Sequence, residues 1–169
     1  MKSKIKKLLY LLLIVFGIGF FVYLSRPASF DFPAPPPDSV QSNEFADKES
    51  PLRRAYFTNY TREQVIAHYK NQFKMRFATF ELNYPPEEAQ TLIRDQTRSY
   101  YLEELVHPFR ESLFVNGFVP QVAKDDIWYL GVHYQEKITI KYVPSSFGVR
   151  ATFALLTLLI IAWMIHEYV

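Results

Sequence analysis

The chain has 169 residues, 49% hydrophobic and 21% charged, with a formal net charge of +2. That suffices for one ordinary domain and excludes a large multidomain enzyme, a multi-span transporter and a wholly disordered polymer. Cysteine is absent, which removes disulfides, thiolate nucleophiles, cysteine-bound zinc and iron–sulfur clusters together.

The charge is unevenly placed. Residues 1–26 carry Lys2, Lys4, Lys6, Lys7 and Arg26 and no acid, whereas residues 27–149 hold 13 Lys/Arg against 16 Asp/Glu. The middle of the chain therefore lacks the clustered positive surface that neutralises phosphates, and nucleic acid is not an expected partner.

Residues 1–7 read as a basic cytoplasmic tail and residues 8–24, free of charge, as a first transmembrane helix. A signal peptide shares this pattern, but its cleavage favours small residues at −3 and −1. Tyr23 stands two places before Ser25, and Arg26 two places before Ala28, so an uncleaved anchor is expected. Residues 25–51 include Pro27, Pro33, Pro35, Pro36, Pro37 and Pro51 among polar residues and predict a disordered, polyproline-rich linker.

Residues 52–143 hold the foldable part. A short strand is expected over 53–58. Thr61-Arg62-Glu63-Gln64 matches a capping box, and Val65, Ile66, Tyr69, Phe73 and Phe77 follow at helical spacing, predicting a helix over 62–77. Phe80, Leu82 and Tyr84 alternate with polar residues as a half-buried strand, closed by Pro85-Pro86, which opens a second helix with Ala89, Leu92 and Ile93. The reading for 97–116 is a strand to about His107, then a short helix through Leu113 and Phe114. Residues 127–134 read as one further strand. In the last, Ile138, Ile140 and Tyr142 face a core and Lys137, Thr139 and Lys141 face water. The order of elements predicts an α+β domain, a mixed sheet with helices packed on one face.

Residues 147–165 predict a second transmembrane helix, N-capped by Ser145 or Ser146, with Arg150 snorkelling to the interface; residues 166–169 form a short tail. A buried helix of a soluble fold would carry a wider polar stripe than Thr152 and Thr157 supply. The N-terminal lysines orient the pair with both termini cytoplasmic and the central domain extracytoplasmic.

Chemistry-bearing patterns are sparse. Glu104 and His107 have the Glu-x-x-His spacing of carboxylate di-metal sites, but only one copy occurs. A metal site would draw on Glu103, Glu104, His107 or His133; otherwise these are a surface acidic pair beside a structural histidine. Ser112 has no nucleophile-elbow frame, and no glycine-rich phosphate loop occurs among five glycines. Asn59-Tyr60-Thr61 fits a glycosylation sequon, though the threonine is better explained as the helix cap. The 12 Tyr, 15 Phe and 2 Trp serve mainly to build a small core, with Trp128 and Tyr129 the candidates for a partner surface.

The expectation is a non-enzymatic, double-anchored membrane protein. Its extracytoplasmic domain makes protein–protein contacts in the cell envelope, with the bilayer and an envelope or membrane protein as partners and no metal or cofactor. A glycan- or lipid-binding sensor is the second expectation, to be favoured by a concave aromatic pocket. A small envelope enzyme using Glu104, His107 and His133 is the third, and requires those side chains to converge. The sequence sets no oligomeric state.

Overall fold

A computed structural model describes residues 2–26, 32–73, 79–94 and 98–168, which fall into two compact units. The first is an antiparallel pair of helices, α1 (Lys2–Ser25) and α4 (Phe147–Tyr168). Each includes 22 residues long and apolar enough to cross a membrane, about 33 Å at 1.5 Å per residue. Lys6 Nζ donates to the His166 carbonyl at 2.9 Å, Tyr10 donates its hydroxyl proton to the Ala162 carbonyl at 3.4 Å, and Phe21 meets Phe147 edge-on at 6.2 Å. Gly17 permits the close approach, because an added Cβ would lie 3.3 Å from Leu158. Arg150 is buried and donates to the Arg26 carbonyl at 3.4 Å, a tie between the two chain segments.

The second unit is a six-stranded sheet. Its strands are β1 (Val40–Gln41), β2 (Arg53–Thr58), β3 (Phe80–Tyr84), β4 (Tyr101–Val106), β5 (Ser112–Phe118) and β8 (Glu136–Val143), in the order β1-β2-β8-β5-β4-β3. A separate two-stranded ribbon joins β6 (Ile127–Tyr129) to β7 (Val132–Tyr134). All neighbours are antiparallel, which corrects the expected mixed sheet. The helix α2 (Arg62–Gln72) follows β2 but carries the chain to the far edge rather than to an adjacent strand, so no parallel pair forms.

The cap expected at α2 is present: the Thr61 N–H donates to Gln64 Oε1 at 2.9 Å. Its buried stripe, Val65, Ile66 and Tyr69 with Phe73 just beyond, packs on one sheet face against Tyr56, Tyr101, Leu105, Leu113, Val115, Ile138, Ile140 and Tyr142. Phe77, assigned to the same helix by its spacing, lies outside the described residues.

The opposite face is covered too, so helices are not confined to one side. There α3 (Ala89–Leu92), entered through a 3-10 turn at Pro86–Glu88, and Ile93 pack on Leu102 and Phe114. At the other end Ile127 and Tyr134 of the ribbon pack on Phe57. Lys137 and Thr139, expected to face water, are consequently buried.

What covers Lys137 is part of the presumed linker. From Phe32 onward that segment is ordered. Its residues Val40 and Gln41 pair with Phe57 and Tyr56, and a 3-10 turn at Phe45–Lys48 buries Asp47. Lys137 Nζ lies 2.9 Å from Asp47 Oδ2 and 2.8 Å from Glu44 Oε2, with Arg53 at 3.8 Å from Asp47. Proline content misled here because the segment is held at scattered points, by the β1–β2 ladder, by Phe32 and Val40 and by the ion pairs of Asp47, with no periodic hydrophobic stripe.

Two further corrections concern turns. Leu113 and Phe114 lie in β5, not in a helix. Leu113 points to the α2 side and Phe114 to the α3 side, as strand alternation requires. Residues 127–134 form two strands rather than one, broken at Leu130-Gly131, where both φ angles are positive (52° and 79°) as in a two-residue I′ hairpin turn.

Candidate interaction surface and buried polar clusters

The ribbon stands apart from the main sheet. On its inward face Tyr129 stacks on Phe57 with ring centroids 4.4 Å apart, while Ile127 and Tyr134 close the small core. Trp128 and His133, directly opposite each other, turn outward with rings 5.1 Å apart. Trp128 is 67% exposed, Leu130 at the turn 81% and Val132 50%. The two sequence candidates thus separate: Trp128 is surface, Tyr129 is mostly cement. Leu130 and Val132 are additions that sequence reasoning missed. The Gly131 between two short aromatic runs could have revealed them, because it reads as a hairpin turn once the run is not forced into one strand.

Leu130 occupies a left-handed backbone position at φ 52°. Such positions favour Gly, Asn or Asp, and a branched apolar residue there costs roughly 1–2 kcal/mol. The strain accompanies an apolar side chain that gains little from burial. Nearby charges are Lys124, Asp125 and Asp126, with His133 Nε2 at 4.0 Å from Asp126. The tip is apolar, and Lys124, Asp125 and Asp126 lie at the base of the ribbon.

The candidate catalytic residues do not assemble. His107 is fully buried at the end of β4. Its Nδ1 lies 2.9 Å from Glu111 Oε1, and its Nε2 lies 3.1 Å from the Phe73 carbonyl and 3.0 Å from Thr79 Oγ1. The ring also stacks on Phe73 at 4.0 Å. Buried Arg110 donates to Glu111 at 2.9 Å, completing a His–Glu–Arg cluster that pins the β4–β5 turn to the end of α2. Glu104 projects to the other face of the sheet and accepts the Tyr84 hydroxyl at 2.7 Å, which pushes that phenol up to about 12. His133 sits on the ribbon. Ser112 lies between Leu113 and the turn, half-buried, opposite Val106 and Val143. Asn59 is exposed, and its Oδ1 accepts the Gln135 N–H at 3.0 Å.

A second polar cluster, unforeseen except for Glu103, lies under the start of α2. Arg62 grips Glu103 Oε1 through Nε at 2.7 Å and Nη2 at 2.6 Å. Burial raises Glu103 above the usual carboxylate range against that guanidinium, with Glu81 beside it pushing the same way. Glu81 is itself held low by its bond to Lys70. Deeper in, Glu136 accepts the Tyr101 hydroxyl and is nearly inaccessible; burial lifts its carboxyl to about 7. Tyr101 crosses over Gly117, where any Cβ would collide with the Tyr101 ring and the Glu136 carboxylate. Strand alternation carries the signal for both acids: Glu136 is two residues before core Ile138, and Glu103 lies between core Tyr101 and Leu105.

Among the described residues, no group of three or more His, Cys, Asp or Glu is placed to hold a metal ion. No family model, no curated protein and no solved structure matches this chain.

Proposed function

We propose that the protein is a non-enzymatic, double-anchored membrane protein that docks another envelope or membrane protein through the tip of the β6–β7 ribbon. In this reading both termini are cytoplasmic, the sheet domain is extracytoplasmic, and α1 and α4 cross the bilayer. The four lysines ahead of the first apolar run support that orientation.

The observation that carries the docking reading is the outward, largely exposed side of Trp128, one strand step from the exposed Leu130 at the turn. Tryptophan anchors flanked by apolar neighbours are the residues that dominate protein interfaces. A two-strand hairpin tip with an exposed indole offers an anchor to a protein partner, and no aromatic pocket is built around it among the described residues. The acidic neighbours Asp125 and Asp126 disfavour an anionic lipid surface. Against catalysis stands the separation of Glu104, His107 and His133 onto different faces and elements, with both His107 ring nitrogens already engaged.

The test places a photo-crosslinking residue at Leu130 in the full chain within native membranes, with Gln90, exposed on α3, as control. A discrete adduct at 130 that is absent at 90, and that disappears when Trp128→Ser is added, is the expected result. Equal labelling at both positions, or an adduct indifferent to Trp128, overturns the assignment.

A further inference from the structure

The two edges of the six-stranded sheet are built differently. At one edge β1 is only two residues long and follows Pro35, Pro36 and Pro37, so it offers no strand for pairing. At the other edge β3 runs five residues and, among the described residues, has a single neighbour, β4. It contains neither proline nor lysine. Its one charge, Glu81, is already neutralised by Lys70. Phe80 is 58% and Leu82 44% exposed, because α3 shelters only the Tyr84 end. A strand of this length with exposed apolar side chains is the kind of edge that soluble domains normally blunt.

The order of residues along β3 is self-complementary. When two copies lie antiparallel about Leu82, Leu82 faces its own counterpart, Phe80 faces Tyr84, and Glu81 faces Asn83. The first two pairings fall on the face that carries α3, where Phe80, Leu82 and Tyr84 project together. They join two aromatic pairs around an aliphatic one, the cross-strand combinations that contribute most. The third places an amide donor opposite each carboxylate and no like charges in register. We propose that two copies of this chain pair edge to edge through β3, forming a continuous twelve-stranded antiparallel sheet about a two-fold axis at Leu82. The arrangement is isologous, so it closes at two and leaves the short β1 edges outermost. It is independent of the ribbon tip and its partner.

The absence of native cysteine makes the test direct. Directly opposed residues in an antiparallel pair lie about 4.5–5.5 Å apart at Cα, within disulfide range. Leu82→Cys in the full membrane-embedded chain should therefore give a covalent dimer under mild oxidation, whereas Leu130→Cys should not. Crosslinking at 82 no faster than at 130 overturns the proposal. In the second arm, Leu82→Lys sets two ammonium groups face to face. Light scattering on the solubilised chain should then fall from a dimer's protein mass to a monomer's, with the far-ultraviolet circular dichroism of the folded chain unchanged. A Leu82→Lys chain that remains dimeric, or an unsubstituted chain that is monomeric both in membranes and in detergent, sinks the edge assignment.

Discussion

The two faces of the central sheet gather their apolar residues differently, although both also bury charged groups. Under α2 lies a continuous apolar cluster of twelve buried residues, from Tyr56 to Tyr142. The other face carries two small clusters, one under α3 and one under the ribbon. Where the early segment lies on this face, Asp47 is fastened to Lys137 and Arg53. Apolar burial tolerates many solutions of similar volume, whereas an ion cluster tolerates few, because one missing partner leaves a buried charge. The first face, with the larger apolar cluster, is expected to supply most of the stability. The second chooses which segment covers it.

The contrast can be broken at its strongest point by Phe73→Ala. This side chain is 1% exposed and packs both on the core and on His107, so its truncation should cost about 3–5 kcal/mol in chemical denaturation. A loss below about 1 kcal/mol would mean that the α2 face does not dominate.

Next in size is a pH effect. Glu136 binds its proton more tightly when folded, at about 7 against an ordinary 4.5, because burial penalises its charge. Stability is therefore full below about pH 4.5 and declines as pH rises through 7, by on the order of 3 kcal/mol from this group alone. In Glu136→Gln that decline should vanish between pH 5 and 8, while Glu81→Gln should leave it intact. An unchanged melting profile in Glu136→Gln would place the titration elsewhere.

The ion-fastened face predicts a smaller loss. Asp47→Ala should cost about 2 kcal/mol, moderated because Glu44 still contacts Lys137. It should also expose residues 42–48 to rapid amide exchange while β5 stays protected. The paired change Asp47→Leu with Lys137→Met should recover most of the loss. If both faces lose protection together, the segment is part of the core rather than a cover. The smallest effect should be a gain: Leu130→Asn, which suits the left-handed turn position, should stabilise by up to about 1 kcal/mol. It should also weaken docking at the tip.

The same contrast explains what the sequence could reveal. Wherever burial follows a period, it was legible: the α2 stripe with its cap, the alternation of Ile138, Ile140 and Tyr142, and β2 and β4 all match expectation. Alternation also places Glu103 and Glu136 on the core side, but it points the wrong way at Lys137 and Thr139. Lys137 looks solvated because its cover arrives from far along the chain, and residues 32–51 look unfolded because their attachments are scattered rather than periodic. Of the candidate surface, Trp128 was legible from its type alone. Leu130 and Val132 were not, since a turn with leucine in its first left-handed position departs from the Asn-Gly and Asp-Gly signals. His107 was legible as structural, but its partner Glu111 and its seat on Phe73 depend on a turn at Pro108 and Phe109 that had been read as a helix start.

The position of β8 bears on how the chain folds as it is made. It is the eight-residue strand that joins the β1–β2 half to the β5–β4–β3 half, and it pairs Arg53 with Lys141 and Val115 with Ile140. Translation delivers it after every other strand. Until then β2 and β5 each keep an open side, and no local contact can substitute, because closing the sheet requires partners separated by most of the domain. Until β8 is made, the nascent domain can form only two incomplete sheets with apolar faces bare, the condition in which strands mispair. Completion comes with the last strand, just before α4 leaves the ribosome, so any delay at that point prolongs the exposure of both halves.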